Sequence, residues 1–117
     1  MHMVHRNTKY ENMTVAALNK DGIAVVGVLY HASMERNAAI DDILDDFDKI
    51  KDYDDINKPV KIETSFEIED LLPEIKNYII YDGSLTTPTC AEAVKWLVMA
   101  ETYPITIDQV REERIIK

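Results

Sequence analysis

A mainly β chain of α+β type is the fold class predicted, and three observations predict it. The run Ile23-Ala24-Val25-Val26-Gly27-Val28-Leu29-Tyr30 is almost continuously apolar and rich in β-branched residues, the pattern of a strand buried on both faces. Shorter strand patterns bounded by turn residues recur at Met1–Tyr10, Tyr78–Tyr81, Ala93–Met99 and Ile105–Ile107. Against these, a single stretch repeats its apolar residues at helical spacing, through Ile40, Ile43, Leu44, Phe47 and Ile50. The 117 residues hold one ordinary domain at most, and no repeat, low-complexity tract or linker marks a boundary.

Taken in order, Met1–Tyr10 alternates so that His2, Val4 and Arg6 share one face and Met3, His5 and Asn7 the other. A loop is expected around the sequon Asn12-Met13-Thr14, a candidate glycan acceptor in a secreted protein. Asp21-Gly22 turns the chain into the long apolar strand, and His31 lies past its end as a surface residue. The helix over Ile40–Ile50 carries aspartates between its apolar positions. Lys51–Glu69 is polar and irregular with Pro59 as a breaker, and a short Leu71-Leu72 segment ends at Pro73. Tyr78-Ile79-Ile80-Tyr81 is a strand stopped by Asp82-Gly83. Asp108 caps a last helical turn running to Arg114.

Composition removes several function classes. Net charge is −9, from 22 acidic and 13 basic residues, and a surface this negative repels phosphate backbones, so nucleic acid is not an expected partner. No apolar run reaches the length of a membrane-spanning helix, and Met1–Arg6 has neither the apolar stretch nor the cleavage site of a signal peptide. Asp41, Asp42, Asp45, Asp46, Asp48, Asp52, Asp54 and Asp55 form an acidic cluster, either a solvated helix face or a site for calcium or a basic partner. The alternating oxygen ligands and central glycine of a calcium loop are missing from it. The single cysteine, Cys90, is a buried apolar residue, a reactive thiol or half of a bridge to a partner elsewhere. So much strand surface with so few covering elements leaves sheet edges unpaired, which implies pairing with further chain of the same domain or self-association.

Two stretches carry a family resemblance. Tyr81-Asp82-Gly83-Ser84-Leu85-Thr86-Thr87-Pro88 resembles the Tyr-x-Gly-Ser-Leu-Thr-Thr-Pro-Pro motif of α-class carbonic anhydrases. His2-Met3-Val4-His5-Arg6-Asn7-Thr8-Lys9-Tyr10 is similar to that family's zinc-ligand strand. Asp21–Val28, Val94-Lys95-Trp96 and Pro104–Val110 match further blocks in order. The resemblance covers nearly the whole chain, as the C-terminal half of such a domain. It implies a central twisted, largely antiparallel sheet with surface helices, incomplete here.

The resemblance also implies a chemistry, the zinc-dependent reversible hydration of carbon dioxide to bicarbonate. Three neutral imidazoles hold Zn²⁺ in that family, leaving a position open to a water whose pKa falls to about 7. His2 corresponds to one of those ligands; the other two come from a His-x-His pair with no counterpart in this sequence. Thr86 corresponds to the catalytic threonine that orients the zinc-bound hydroxide, and Thr87 borders the substrate. Val4, Val25, Leu85, Val94 and Trp96 correspond to the carbon dioxide pocket. Cys90 falls where secreted and membrane-anchored members carry half of a disulfide, which points, with Asn12, to an extracellular setting. Arg6, Asp82 and Thr89 depart from the family's tryptophan and two prolines. With two of three zinc histidines missing, this chain is expected to be inactive; the alternative is a non-catalytic, carbonic anhydrase-related binding domain.

Overall fold

The computed structural model describes residues 1–45, 67–74 and 77–113. Four strands form one sheet in the order β1 (His2–Arg6), β2 (Ile23–Ala32), β4 (Val94–Ile105), β3 (Tyr78–Gly83). Three short helices, α1 (Met13–Ala16), α2 (Ala38–Leu44) and α3 (Ile107–Glu113), and a 3-10 turn at Ile68–Leu71 complete the described elements. The predicted mainly β class is what folds. Among the described residues no helix is long and apolar enough to cross a membrane. The chain divides into two compact units, one of Met1–Leu29 with Glu74–Thr102 and one of Tyr30–Pro73 with Tyr103–Lys117.

In the first unit, two antiparallel pairs set the register: His2 faces Gly27 and Val4 faces Val25 across β1 and β2, while Tyr81 faces Trp96 and Gly83 faces Val94 across β3 and β4. Because side chains alternate along a strand, Ile23, Val25, Val94 and Trp96 share one face. That face, closed by Ala16 of α1, is the core, with Tyr10, Ala17, Leu85 and Val98 packed around it. Burial of each large side chain there contributes about 1.5–3 kcal/mol.

β1 is shorter than the alternation predicts. It stops at Arg6 because Thr8–Tyr10 turns, with the Tyr10 amide donating to the Asn7 carbonyl at 3.1 Å. The turn is then tied to the start of β2: the Asn7 amide donates to the Gly22 carbonyl at 2.8 Å, and Lys9 and the Tyr10 hydroxyl both reach the Asp21 carboxylate. Those two donors, Tyr10 before Lys9, hold the Asp21 carboxyl below the usual carboxylate range. The sequon does not lie wholly in a loop: Asn12 is the extended residue before α1, and Met13 and Thr14 are in its first turn. The Asn12 side-chain oxygen accepts from the Val15 amide at 2.9 Å and caps α1.

β3 also departs from expectation, since Asp82-Gly83 continues the strand instead of stopping it. Asp82 pairs with Lys95 across the ladder, and a Cβ on Gly83 would lie 3.0 Å from Trp96 Cδ1. Glycine serves there as clearance for the indole, not as a turn residue. Of the two strand candidates Ala93–Met99 and Ile105–Ile107, Val94–Met99 and Ile105 are joined in β4, whereas Ile107 begins α3, and His31 lies within β2, not past its end.

The second unit is organised by an amide. Gln109 is fully buried and its side chain donates to the Asn37 carbonyl at 2.8 Å and to Asp41 at 2.7 Å, while its oxygen accepts from the Asn37 amide at 3.1 Å. Asn37 caps α2 through the Ile40 amide and also donates to the Pro104 carbonyl at 3.2 Å. Every polar atom of this buried pair is thereby occupied, as burial demands. α2 and α3 pack together, and Ala39, Ile40 and Leu44 are buried. Thr106, not Asp108, caps α3: the Gln109 amide donates to its hydroxyl at 3.3 Å, and Asp108 lies in the first turn. The expected end at Arg114, the helix positions Phe47 and Ile50, most of Lys51–Glu69 including Pro59, and Asp46, Asp48, Asp52, Asp54 and Asp55 lie outside the described residues.

Asp41 is not simply part of a solvated acidic face. Arg36 pairs with it at 2.5 Å, and that guanidinium, with the Gln109 amide, holds its carboxyl below the usual range. A carboxyl more acidic folded than unfolded contributes stability above its unfolded pKa and loses it as pH falls through the lowered folded value. Urea midpoints measured through the acid range should therefore fall less steeply in Asp41→Asn than in the parent chain. Equal slopes would show that the pair does not couple to folding.

Candidate functional site

The predicted site residues gather on the core face of the first unit and the loop beside it. Val25, Val94 and Trp96 are buried, Leu85 is half-buried against them, and Val4, opposite Val25 on the outer strand, is 50% exposed. His2 is exposed at the end of the same face, yet its ring meets the Trp96 indole edge-on at 4.8 Å between centroids. Gly27, the ladder partner of His2, has no side chain to stand between them: the nearest Trp96 atom lies 3.7 Å from where its Cβ would be.

Trp96 is the hub. Its indole N–H donates to the Ser84 carbonyl at 3.1 Å, and Tyr81 lies stacked on it, 6.2 Å between centroids and 7° from parallel. Sequence reasoning named neither Ser84 nor Tyr81 nor Gly27 as supports. Tyr81 could have been found, because it stands in the quoted motif and strand alternation puts it on the Trp96 face once the register is known.

Thr86 and Thr87 are exposed in the loop that follows β3. The loop is closed by the Leu85 amide donating to the Ala91 carbonyl at 3.0 Å and, inside it, by the Cys90 amide donating to the Thr87 carbonyl at 2.7 Å. Cys90, beside the closing Ala91, has φ 55° and an exposed, free thiol, so it is not a buried apolar residue. A cavity of about 1020 Å³ opens at the strand ends, where His5, Arg6, Ile23, Gly83, Val94 and Lys95 contribute to its lining. Val94 alone of the predicted set lines it, so the apolar row is a sheet face, half open at Val4, and not the lining of that cavity.

The donor set does not fit a zinc ion. Among the described residues no group of three or more histidine, cysteine, aspartate or glutamate side chains converges to hold a metal, and His2 offers one imidazole where tetrahedral zinc needs three protein ligands.

A family model for eukaryotic-type carbonic anhydrases matches residues 1–116. The chain belongs to that family. Carbonic anhydrase 3 of Sus scrofa is 35% identical over 114 residues, which cover 97% of this chain and 42% of the relative. Carbonic anhydrase 3 of Homo sapiens is 36% identical over the same length and share. Carbonic anhydrase 15 of Mus musculus is 37% identical over 113 residues, covering 94% of this chain and 34% of the relative. The chain thus spans less than half the length of these curated carbonic anhydrases.

Proposed function

We propose that this chain is the substrate-wall portion of a carbonic anhydrase domain whose complete form hydrates carbon dioxide reversibly to bicarbonate with zinc. The observation that carries the reading is the single apolar face of Val4, Val25, Val94 and Trp96, bordered by Leu85, with His2 at one end and the Thr86–Thr87 loop alongside. Carbon dioxide has no charge or dipole to grip, so a wall of branched and aromatic side chains beside a polar loop is what holds it. In this reading His2 supplies one imidazole and Thr86 the orienting hydroxyl, and the remaining ligands come from carbonic anhydrase sequence that this chain does not contain. No hydration step is assigned to the chain alone.

Stopped-flow carbon dioxide hydration on the purified chain with added zinc is expected to show no rate above buffer. Hydration inhibited by an aromatic sulfonamide would overturn this. The same exposed Cys90 thiol is open to a bridge with a cysteine elsewhere, which, with the Asn12 sequon, supports an extracellular setting.

A second reading, a non-catalytic binding domain, is favoured by the lone imidazole. It leaves the intact apolar face without a purpose, and ranks second. Asp41, committed to Arg36 and Gln109, is also less free to serve as a partner contact than the acidic cluster implies.

A further inference from the structure

We infer, building on the roles proposed above for His2 and Thr86, that Trp96 is a positioning residue whose indole fixes the imidazole and the threonine loop relative to each other. The two start far apart on the sheet. His2 lies on β1 and the loop leaves β3, with β2 and β4 between them in the strand order.

One side chain spans the gap. Trp96, on β4, lies opposite Tyr81 of β3, and its ring extends the other way toward β2. A Cβ on Gly27 of β2 would lie 3.7 Å from Trp96 Cζ3 and 3.9 Å from Cε3, on the six-membered ring. A Cβ on Gly83 of β3 would lie 3.0 Å from Cδ1 and 3.3 Å from Nε1, on the five-membered ring. The indole therefore lies across the sheet in a channel that two glycines leave open. Gly27 is the ladder partner of His2, so the imidazole meets the indole edge-on, 4.8 Å between centroids and 76° between planes. At the other end Nε1–H donates to the carbonyl of Ser84, two residues before Thr86, at 3.1 Å. His2, Gly27, Trp96 and Tyr81 thus form one row across all four strands.

The row is stiff. Trp96 is 6% exposed, and Tyr81 stacks on it 7° from parallel. A part-buried N–H donor keeps its acceptor, because an unpaired one is costly away from water. The backbone beneath His2 is held separately, by the Val28 amide donating to the Met1 carbonyl at 3.0 Å. Bonds from the Leu85 amide to the Ala91 carbonyl and from the Cys90 amide to the Thr87 carbonyl set the inner shape of the loop. What those bonds leave open is where the ring points and where the loop starts, and the indole touches both. Misplacing a reacting group by about 1 Å costs about 100-fold in rate, so a site of this kind needs such a support.

Two variants of the full, metal-free chain separate the two attachments. Trp96→Phe keeps an aromatic edge beside His2 and deletes the N–H. Backbone order parameters at residues 84–87 should fall from about 0.85 to below about 0.6, while those of β3 and β4 hold and the His2 ring shifts move little. Gly27→Val does the reverse: its methyl groups enter the space between imidazole and indole, so the His2 ring shifts move strongly and residues 84–87 stay rigid. A role in stability alone would lower the unfolding midpoint and leave the order parameters of the folded chain unchanged. Circular dichroism checks that each variant folds. Unchanged order parameters at residues 84–87 in Trp96→Phe would overturn the inference even if Gly27→Val does not fold, and so would a loop already mobile in the parent chain. Unmoved His2 shifts in folded Gly27→Val would overturn it too. Neither measurement uses zinc or carbon dioxide, so failure here is distinct from failure of the proposed hydration chemistry.

Discussion

Replacing Gly22 by alanine is expected to unfold the unit built from Met1–Leu29 and Glu74–Thr102. The new Cβ would lie 1.8 Å from the Ala16 carbonyl oxygen and 2.5 Å from its carbon. These are backbone atoms of a fully buried residue, and the same oxygen already accepts the Asn19 amide at 3.0 Å. Ordinary overpacking costs about 1–3 kcal/mol because side chains can shift. A main-chain clash at the floor of the core has no such relief, and the loss should exceed about 4 kcal/mol. Gly27→Ala is the control: its nearest neighbours are side-chain atoms at 3.4 Å or more, so its cost should stay within about 1 kcal/mol. Urea unfolding of both variants decides the matter. A Gly22→Ala chain as stable as the Gly27→Ala chain would show that the turn can move.

Trp96→Ala should be the most damaging side-chain truncation in the same unit, at about 3–5 kcal/mol. It empties the centre of the core and deletes three contacts together: the hydrogen bond to Ser84, the Tyr81 stack and the edge of the His2 ring. Trp96→Phe keeps an aromatic surface but not the N–H donor, and leaves the Ser84 carbonyl to find water; its cost should be about 1–2 kcal/mol beyond the lost volume. The His2 ring protons give a second readout. Their NMR shifts should move strongly in Trp96→Ala and slightly in Trp96→Phe. Unchanged shifts in Trp96→Ala would remove Trp96 from the neighbourhood of the candidate ligand.

The strands were legible wherever a local pattern coincided with burial. β2 could be read from Ile23–Tyr30 because its residues are apolar whichever face they meet, and the Val4, Val25, Val94, Trp96 row followed from alternation once the family motif named its members. What escaped was decided by partners distant in sequence. Asp82-Gly83 has the composition of a turn, and only Lys95 and the Trp96 indole explain why it extends a strand. Glu101 and Pro104 break the pattern of β4, yet the strand runs on to Ile105, with Pro104 contributing a carbonyl to Asn37. Thr106 took the capping role expected of Asp108 because Gln109 is drawn inward to Asn37 and Asp41.

The Gln109 network has a consequence for the order in which the chain acquires its structure. Its bonds to Asn37 close a gap of 72 positions, and both compact units are assembled from segments that are interrupted by each other. β1 and β2 are made before β3 and β4, and they can form a hairpin. The Val94–Trp96 segment that seals their inner face is made later, and Gln109 later still. Loop closure over such distances is entropically costly and slow. During synthesis the apolar faces of β2 and α2 are therefore made before the segments that cover them.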